Sequence, residues 1–182
     1  MTILSEEINQ CFACGLCSGA KNRVVGKGPL NANLVLVGEA PGRRENESGY
    51  PFVGSAGKLL DSILLKAELT RDQIYITNIL KCRPPMNRKP RRDEVKACCS
   101  HLEKQLEIIK PKIIAPMGNS ATKFFFEKYN IKAEAISEAH GKTKKVEATW
   151  GGITLFPLYH PAAAIYNRRL LTELEKDLIS LK

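Results

Sequence analysis

NLVLVGEAPG, at residues 33–42, joins a short apolar run to a loop that contains two glycines and a proline. Leu34–Gly38 is typical of a buried strand that runs into a loop at its carboxyl end. The bend at Pro41 and the small residue Gly42 allow backbone amides to come close to a ligand. In parallel sheets, ligands bind beyond the carboxyl ends of the strands, so this loop is a candidate site.

Further segments alternate between strand and helix patterns. Runs rich in β-branched residues predict strands at 74–80, 112–118, 144–149 and 153–159, with a turn at Gly151-Gly152. Apolar residues at helical spacing predict helices at 55–68, 93–110, 119–129 and 168–182. This alternation predicts an α/β fold, a three-layer α/β/α sandwich with a central, mainly parallel four-stranded sheet. We expect one domain that spans residues 1–182.

The charge of the chain indicates a polyanionic partner. Lys and Arg number 28 against 19 Asp and Glu, which gives a formal net charge of +9. The densest basic runs are RKPRR at 88–92 and KTKK at 142–145. Nucleic acid is the first expectation, and a lysine-rich solvated surface is the alternative. No apolar run has the roughly 20 residues of a membrane span, and the N-terminus lacks a secretory pattern. We therefore expect a cytoplasmic protein with reduced thiols.

Six cysteines are candidate metal ligands. Three lie at a spacing of three residues in CFACGLCSG, and the others follow far downstream; they are Cys11, Cys14, Cys17, Cys82, Cys98 and Cys99. A local ferredoxin motif fails because Lys21 stands where a fourth thiol is required. Two N-terminal thiols, Cys82 and one of the last two would supply four thiolates, for zinc or an iron–sulfur cluster. Spacing alone leaves the choice within each group open, and the surplus cysteines are ordinary side chains.

Three loop segments together carry a resemblance to a known family. They are VGEAPGRRENESGYPFVGSAGKLL at 37–60, ITNILKCRPP at 76–85 and YHPAAAIYN at 159–167. In this order they resemble the family 4 uracil-DNA glycosylases, the iron–sulfur members of the uracil-DNA glycosylase superfamily. The resemblance extends from Cys11 to the last helix. It implies a monofunctional hydrolase of base excision repair, which flips uracil out of single- or double-stranded DNA and leaves an abasic site.

The resemblance also implies a cofactor and its ligands. CGLCSGAKNRVVGKG is similar to the family pattern when Cys14 is the second ligand. The implied [4Fe–4S] ligands are then Cys11, Cys14, Cys82 and Cys98, with a structural role for the cluster. Cys17 and Cys99 would be extra thiols.

Roles in the uracil pocket follow from the same resemblance. Phe52 would stack on the flipped base, Asn78 would read it, and His160 would donate to O2 of the departing uracil anion. Backbone amides around Ala40 and Gly42 would add donors. Some relatives carry an Asp at the position of Ala40, which positions the attacking water. Ala40 has no carboxylate, so Glu39 is expected to position the water here. Glu45 would lie near C5 of uracil and exclude the methyl group of thymine.

The DNA surface is expected around the loop that follows His160. Ala163, Ala164 and Ile165 are the predicted wedge that fills the space of the flipped base. The candidate phosphate contacts are Arg83, Arg88, Arg91, Arg92, Arg168 and Arg169.

Two other function classes compete with the enzyme. A non-catalytic iron–sulfur module that binds uracil or nucleic acid would need the pocket but no turnover. A small electron carrier would need neither Asn78 nor His160. The chain lacks a glutamine-plus-aromatic tail, so contact with a sliding clamp is not expected, and a monomer is the expected state.

Overall fold

The structure is a computed structural model that describes residues 1–181. A central five-stranded sheet has the order β2-β1-β3-β5-β4. The strands are β1 (Leu34–Gly38), β2 (Ile74–Asn78), β3 (Ile113–Pro116), β4 (Lys144–Ala148) and β5 (Gly151–Leu155). β1 pairs in parallel with β2 and β3, and β3 pairs in parallel with β5. Only β4 is antiparallel, to β5. The predicted α/β class is confirmed.

The sheet has five strands rather than four, because β4 and β5 form a hairpin and both join it. The hairpin turn also lies earlier than predicted. It falls at Thr149 and Trp150, and Gly151 and Gly152 already belong to β5.

Eight α-helices surround the described part of the sheet. They are α1 (Thr2–Asn9), α2 (Arg43–Ser48), α3 (Ser55–Lys66), α4 (Arg92–Ile109), α5 (Gly118–Lys128), α6 (Ile136–Ala139), α7 (Pro161–Ala164) and α8 (Arg168–Ile179). The four predicted helices correspond to α3, α4, α5 and α8. The prediction for α8 extended to Lys182, which lies outside the described residues. No helix between residues 1 and 181 is both long and apolar enough to cross a membrane.

Alternate residues of β1 face opposite helical layers. Leu34 and Leu36 pack with side chains of α3 and α8 in one hydrophobic cluster. Val35 and Val37 pack with side chains of α4 and α5 in another. A central parallel strand that is buried on both faces reads as a continuous apolar run, which is why this segment predicted the fold.

The N-terminal segment lies against α4. Leu4 and Ile8 of α1 are buried, and Glu7 accepts a hydrogen bond from Lys104 at 2.7 Å. The chain then passes a short 3-10 helix at Gly15–Gly19 and approaches the end of β2, where the Val24 amide donates to the Lys81 carbonyl at 2.7 Å. The N-terminal cysteines are thereby brought to the region of Cys82 and Cys98.

Candidate active site and thiol cluster

A pocket of about 310 Å³ lies at the carboxyl edge of the sheet. β1 and β2 end side by side, with Gly38 in register with Asn78. The loop after β5 returns to the same edge, where the Gly118 amide donates to the Leu158 carbonyl at 2.8 Å. All seven residues predicted for catalysis and uracil binding line this pocket: Glu39, Ala40, Gly42, Glu45, Phe52, Asn78 and His160.

Asn78 presents an unused hydrogen-bond acceptor to the pocket. Its side chain is 2% exposed, and its Oδ1 atom is buried without a hydrogen-bond partner among the described residues. Native structures seldom leave such an atom unpaired, because the lost solvation costs about 1–3 kcal/mol. The acceptor is therefore available to a ligand that carries a donor.

Gly38 leaves the space that Asn78 and Phe52 occupy. A Cβ atom at Gly38 would lie 2.3 Å from Asn78 Oδ1 and 2.8 Å from Phe52 Cζ. We predict that Gly38→Ala displaces both side chains and slows the uracil excision that the sequence resemblance implies by about tenfold to a hundredfold, since small misplacements of reacting groups carry costs of that size. Single-turnover rates measure the loss. Gly19→Ala is the control, because nothing lies within 4 Å of the Cβ added there.

The backbone at Phe52 is held in a conformation that non-glycine residues rarely adopt, with φ of 52°. Arg71 donates to the Phe52 carbonyl at 2.6 Å and to the Pro51 carbonyl at 3.1 Å, and it pairs with Asp61. Gly57 packs so closely that an added Cβ would lie 1.7 Å from the Phe52 oxygen. These contacts fix the aromatic ring in the pocket wall.

His160 faces Phe52 across the pocket, with 5.7 Å between the ring centroids. Its Nδ1 accepts a hydrogen bond from the Ala162 amide at 3.1 Å and so caps α7. Because Nδ1 is an acceptor, the proton of the neutral ring is on Nε2. Burial lowers the pKa of His160 to about 4, although nearby Glu45 acts in the opposite direction. His160 is therefore a neutral Nε2–H donor at physiological pH.

Glu45 braces the loop that carries Phe52. Its Oε1 accepts hydrogen bonds from the Val53 amide at 2.9 Å and the Gly54 amide at 2.8 Å. The carboxylate thereby ties α2 to the start of α3, where its negative charge also suits the helix dipole. Glu45 lines the pocket in a fixed position.

The pocket wall also contains residues of the loop after β2 that were not predicted as pocket residues. Pro84, Asn87 and Arg88 line it. Arg83 donates to Asn87 at 2.7 Å, and Arg88 forms a two-pronged ion pair with Glu94. The hydrogen bond from Arg88 lowers the pKa of Glu94 to about 2. The position of these residues in the loop after β2 could have indicated that they line the pocket. The basic run at 88–92 led us to predict a phosphate contact for Arg88 instead.

Five of the six thiols line a second, narrow space of about 10 Å³ near the residues that follow β2. They are Cys11, Cys14, Cys17, Cys82 and Cys98. Cys99 does not line this space, and its thiol donates to the Lys96 carbonyl at 3.4 Å. Ala40 packs with Leu16 and Leu80 beside these thiols, so a short layer of apolar side chains separates them from the pocket.

Burial raises the pKa of Cys82 to about 12, and the charges of Cys98, Cys14 and Cys11 raise it further, whereas Arg23 lowers it. Burial likewise raises the pKa of Cys98. These four thiols therefore lie close enough to repel one another as thiolates. Such a set is stabilised when a positively charged metal group binds it.

The thiols are not arranged around one metal ion. Within residues 1–181, no group of three or more His, Cys, Asp or Glu side chains is placed to hold a single ion. A tetrahedral zinc site would bring four sulfur atoms within about 4 Å of one another. An iron–sulfur cluster holds its four thiolates farther apart, around several metal atoms. Four thiolates are the donor set of either a zinc ion or an iron–sulfur cluster.

Lys81 connects the two sites and was not singled out from the sequence. Its side chain is 1% exposed, and Nζ donates to the Asn78 carbonyl at 2.8 Å, to Thr77 Oγ1 at 2.8 Å and to Gln105 Oε1 at 2.6 Å. Its backbone amide donates to Cys98 Sγ at 3.4 Å. A lysine is normally a surface residue, so only the tertiary contacts reveal this position.

Comparison with known proteins places the chain in a family. A profile of the uracil DNA glycosylase superfamily matches residues 25–180. The type-4 uracil-DNA glycosylase of Sulfurisphaera tokodaii is 44% identical over 175 residues, which are 96% of this chain and 80% of the relative. That of Archaeoglobus fulgidus is 44% identical over 172 residues, 94% of this chain and 86% of the relative. That of Thermotoga maritima is 40% identical over 169 residues, 92% of this chain and 84% of the relative. The chain therefore belongs to the uracil DNA glycosylase superfamily and, within it, to the type-4 enzymes.

Proposed function

We propose that this chain hydrolyses the bond between uracil N1 and deoxyribose C1′ in DNA, which releases uracil and leaves an abasic site. The observation that carries the proposal is the unpaired Asn78 Oδ1, buried in a pocket that the Phe52 ring and the His160 donor also line. A base that carries an N–H donor and stacks on Phe52 would satisfy it. The base must leave the duplex to reach such a pocket.

Asn78 is the proposed reader of the base. Its Oδ1 accepts from N3–H of uracil, and its amide nitrogen donates to O4. Cytosine presents the opposite pattern, with an acceptor at N3 and a donor at N4. Each mismatched buried polar group costs about 1–3 kcal/mol, so cytosine is rejected. Phe52 can stack on either base, so it contributes to affinity but does not distinguish uracil from cytosine.

His160 is the proposed stabiliser of the leaving group. As the bond breaks, negative charge develops on uracil O2, and the neutral Nε2–H donates to it. Backbone amides around Ala40 and Gly42 add donors in the same wall. Glu39 is the proposed carboxylate that orients the attacking water and stabilises the positive charge on the sugar, because Ala40 has no polar side chain.

Glu45 has a proposed part in excluding thymine. The carboxylate lines the pocket, and its bonds to Val53 and Gly54 prevent it from moving aside. A methyl group on C5 of the base would meet this fixed wall.

The proposed DNA surface surrounds the pocket mouth. Ala164 cannot contribute to a wedge, since it is 1% exposed and packs in the hydrophobic core. Ala163 is exposed, as are the larger apolar residues Ile165, at 37%, and Tyr166, at 95%. We assign the wedge to Ala163, Ile165 and Tyr166, and exposed Arg168 and Arg169 follow them as phosphate contacts.

A [4Fe–4S] cluster is the proposed cofactor, with Cys11, Cys14, Cys82 and Cys98 as its ligands. All four thiols line one space, and Cys82 and Cys98 are buried there, which supports the proposal. The cluster supplies a cross-link between the N-terminal segment, the end of β2 and α4. Uracil hydrolysis itself needs only the residues of the pocket.

We further propose a single domain, because both hydrophobic layers share one sheet. A monomeric state and a cytoplasmic location complete the proposal. We do not propose a contact with a sliding clamp.

The test is an excision assay on an oligonucleotide that carries one uracil, with strand scission by alkali and thymine and cytosine controls. We predict that Asn78→Leu lowers the excision rate by at least about a hundredfold, which corresponds to the loss of two hydrogen bonds to the base. Asn33→Leu is the matched control, since Asn33 is exposed at the opposite end of β1. Cleavage at uracil that is insensitive to Asn78→Leu would contradict the assigned reader.

A non-catalytic uracil binder is the second candidate, and the apolar side chain of Ala40 favours it. It predicts retention of uracil-containing DNA by the wild-type protein without any release of uracil. Product formation separates the two functions. No cleavage by protein with a full complement of iron would establish the binder.

A further inference from the structure

Two nitrogen atoms next to the thiols lack partners. Arg23 Nε and His101 Nδ1 are buried, and neither has a hydrogen-bond partner among the described residues. Both side chains line the space that contains Cys11, Cys14, Cys82 and Cys98. Two unsatisfied nitrogens in one small space indicate a missing acceptor there.

Arg23 is held at this position from two sides. The Val24 amide donates to the Lys81 carbonyl, which fixes the backbone beside Cys82. The guanidinium lies 5.6 Å from the centroid of the Phe12 ring, and Phe12 stands between the first two cysteines in the sequence. The Arg23 side chain lines the same space as Cys82, so its positive charge faces the thiols.

His101 approaches from α4. It follows Cys98 by three residues, so the two side chains share one face of the helix. Burial lowers the pKa of His101, and the positive charges of Lys81 and Lys104 lower it further, whereas Glu7 acts in the opposite direction. A neutral imidazole still carries one N–H, and Nδ1 is the ring nitrogen that is buried and unpaired.

We propose that Arg23 and His101 donate N–H···S hydrogen bonds to the sulfur atoms of the iron–sulfur cluster. This inference rests on the proposed cofactor and concerns residues outside its four ligands. Sulfur atoms bound to iron are acceptors with negative charge, and hydrogen bonds to them set the reduction potential of a cluster. Donors around a metal site also raise its affinity for the metal. The two residues therefore raise the reduction potential and slow cluster loss.

The variants separate hydrogen bonding from charge and shape. Arg23→Lys keeps the positive charge and removes Nε, and His101→Phe keeps a planar ring and removes both nitrogens. Arg43→Lys is the matched control, because its side chain is 71% exposed and pairs with Glu47 on α2. Iron and sulfide content, the reduction potential, and the rate of cluster loss to an iron chelator are measured for each protein.

We expect a lower reduction potential and about tenfold faster cluster loss in Arg23→Lys and His101→Phe, with Arg43→Lys like the wild type. A variant that matches Arg43→Lys in both readouts overturns the assignment for that residue. Wild-type protein that binds no iron and sulfide when reconstituted contradicts the proposed cofactor instead, and the excision assay is independent of both outcomes.

A variant that fails to fold does not end the test. Wild-type protein labelled with 15N-arginine or 15N-histidine is then reduced and studied by pulsed electron paramagnetic resonance. Hyperfine coupling from each labelled side chain to the cluster is expected for N–H···S bonds. Its absence for either label would rule out that donor.

Discussion

His160→Ser is expected to slow uracil excision by about a hundredfold to a thousandfold, the usual cost of removing one donor to a developing anion. Serine preserves the cap of α7, because its hydroxyl can accept from the Ala162 amide as Nδ1 does now. It is too short to reach the base. The donation strengthens only as the bond breaks, so affinity for uracil-containing DNA should change little.

The measurement is the single-turnover rate together with the dissociation constant for DNA. When the wild-type rate is plotted against pH, protonation of His160 should cause no change in rate between about pH 5.5 and pH 8. The folded-state pKa of about 4 keeps the ring neutral throughout this range. Protonation as the pH falls through about 4 would remove the Nδ1 acceptor and loosen the α7 cap. A His160→Ser rate within threefold of the wild type would refute the role of His160 as donor.

The second large expected effect is the loss of iron and sulfide binding, which is tested with two matched pairs of cysteine substitutions. Cys98→Ala and Cys14→Ala should abolish iron and sulfide binding, whereas Cys99→Ala and Cys17→Ala should preserve it. The free energy of unfolding should fall by more than about 3 kcal/mol in the first pair, because ligand binding contributes directly to folding. The reason is structural, since the cluster would hold the N-terminal segment against α4 and β2.

Iron content, visible absorbance and chemical denaturation measure this effect. Cys98 and Cys99 are neighbours on α4, so their comparison controls for helix disruption. Cys17 is the sharper control, because it lines the same space as the proposed ligands. If Cys17→Ala lost the cluster and Cys11→Ala retained it, the N-terminal pair would be Cys14 and Cys17.

The sheet was predictable because the strands that lead to the pocket are fully buried. Leu34–Gly38 is a continuous apolar run and Ile74–Asn78 is rich in β-branched residues, and the loops after them form the pocket. Short helices were not predictable in this way. α2 buries none of its residues, so no apolar periodicity marks it.

The features of the site that could not be predicted from the sequence depend on contacts between side chains. Whether His160 is neutral depends on burial and on the Ala162 amide, and neither is visible in HPAA. Lys81 is buried because Thr77, Asn78 and Gln105 together accept its three hydrogens. The partners of Arg88 and the position of Cys17 likewise arise from contacts between distant parts of the chain.

The order in which the ligands are synthesised has a consequence for how the protein matures. Cys11 and Cys14 leave the ribosome early, but Cys98 follows only after more than half of the chain has been made. The proposed ligand set therefore cannot assemble before the segment that contains Cys98 has been made. Until β2 and α4 have formed, Cys11 and Cys14 would lack their two partner thiols, so iron and sulfide would have to be delivered after that part of the chain has folded.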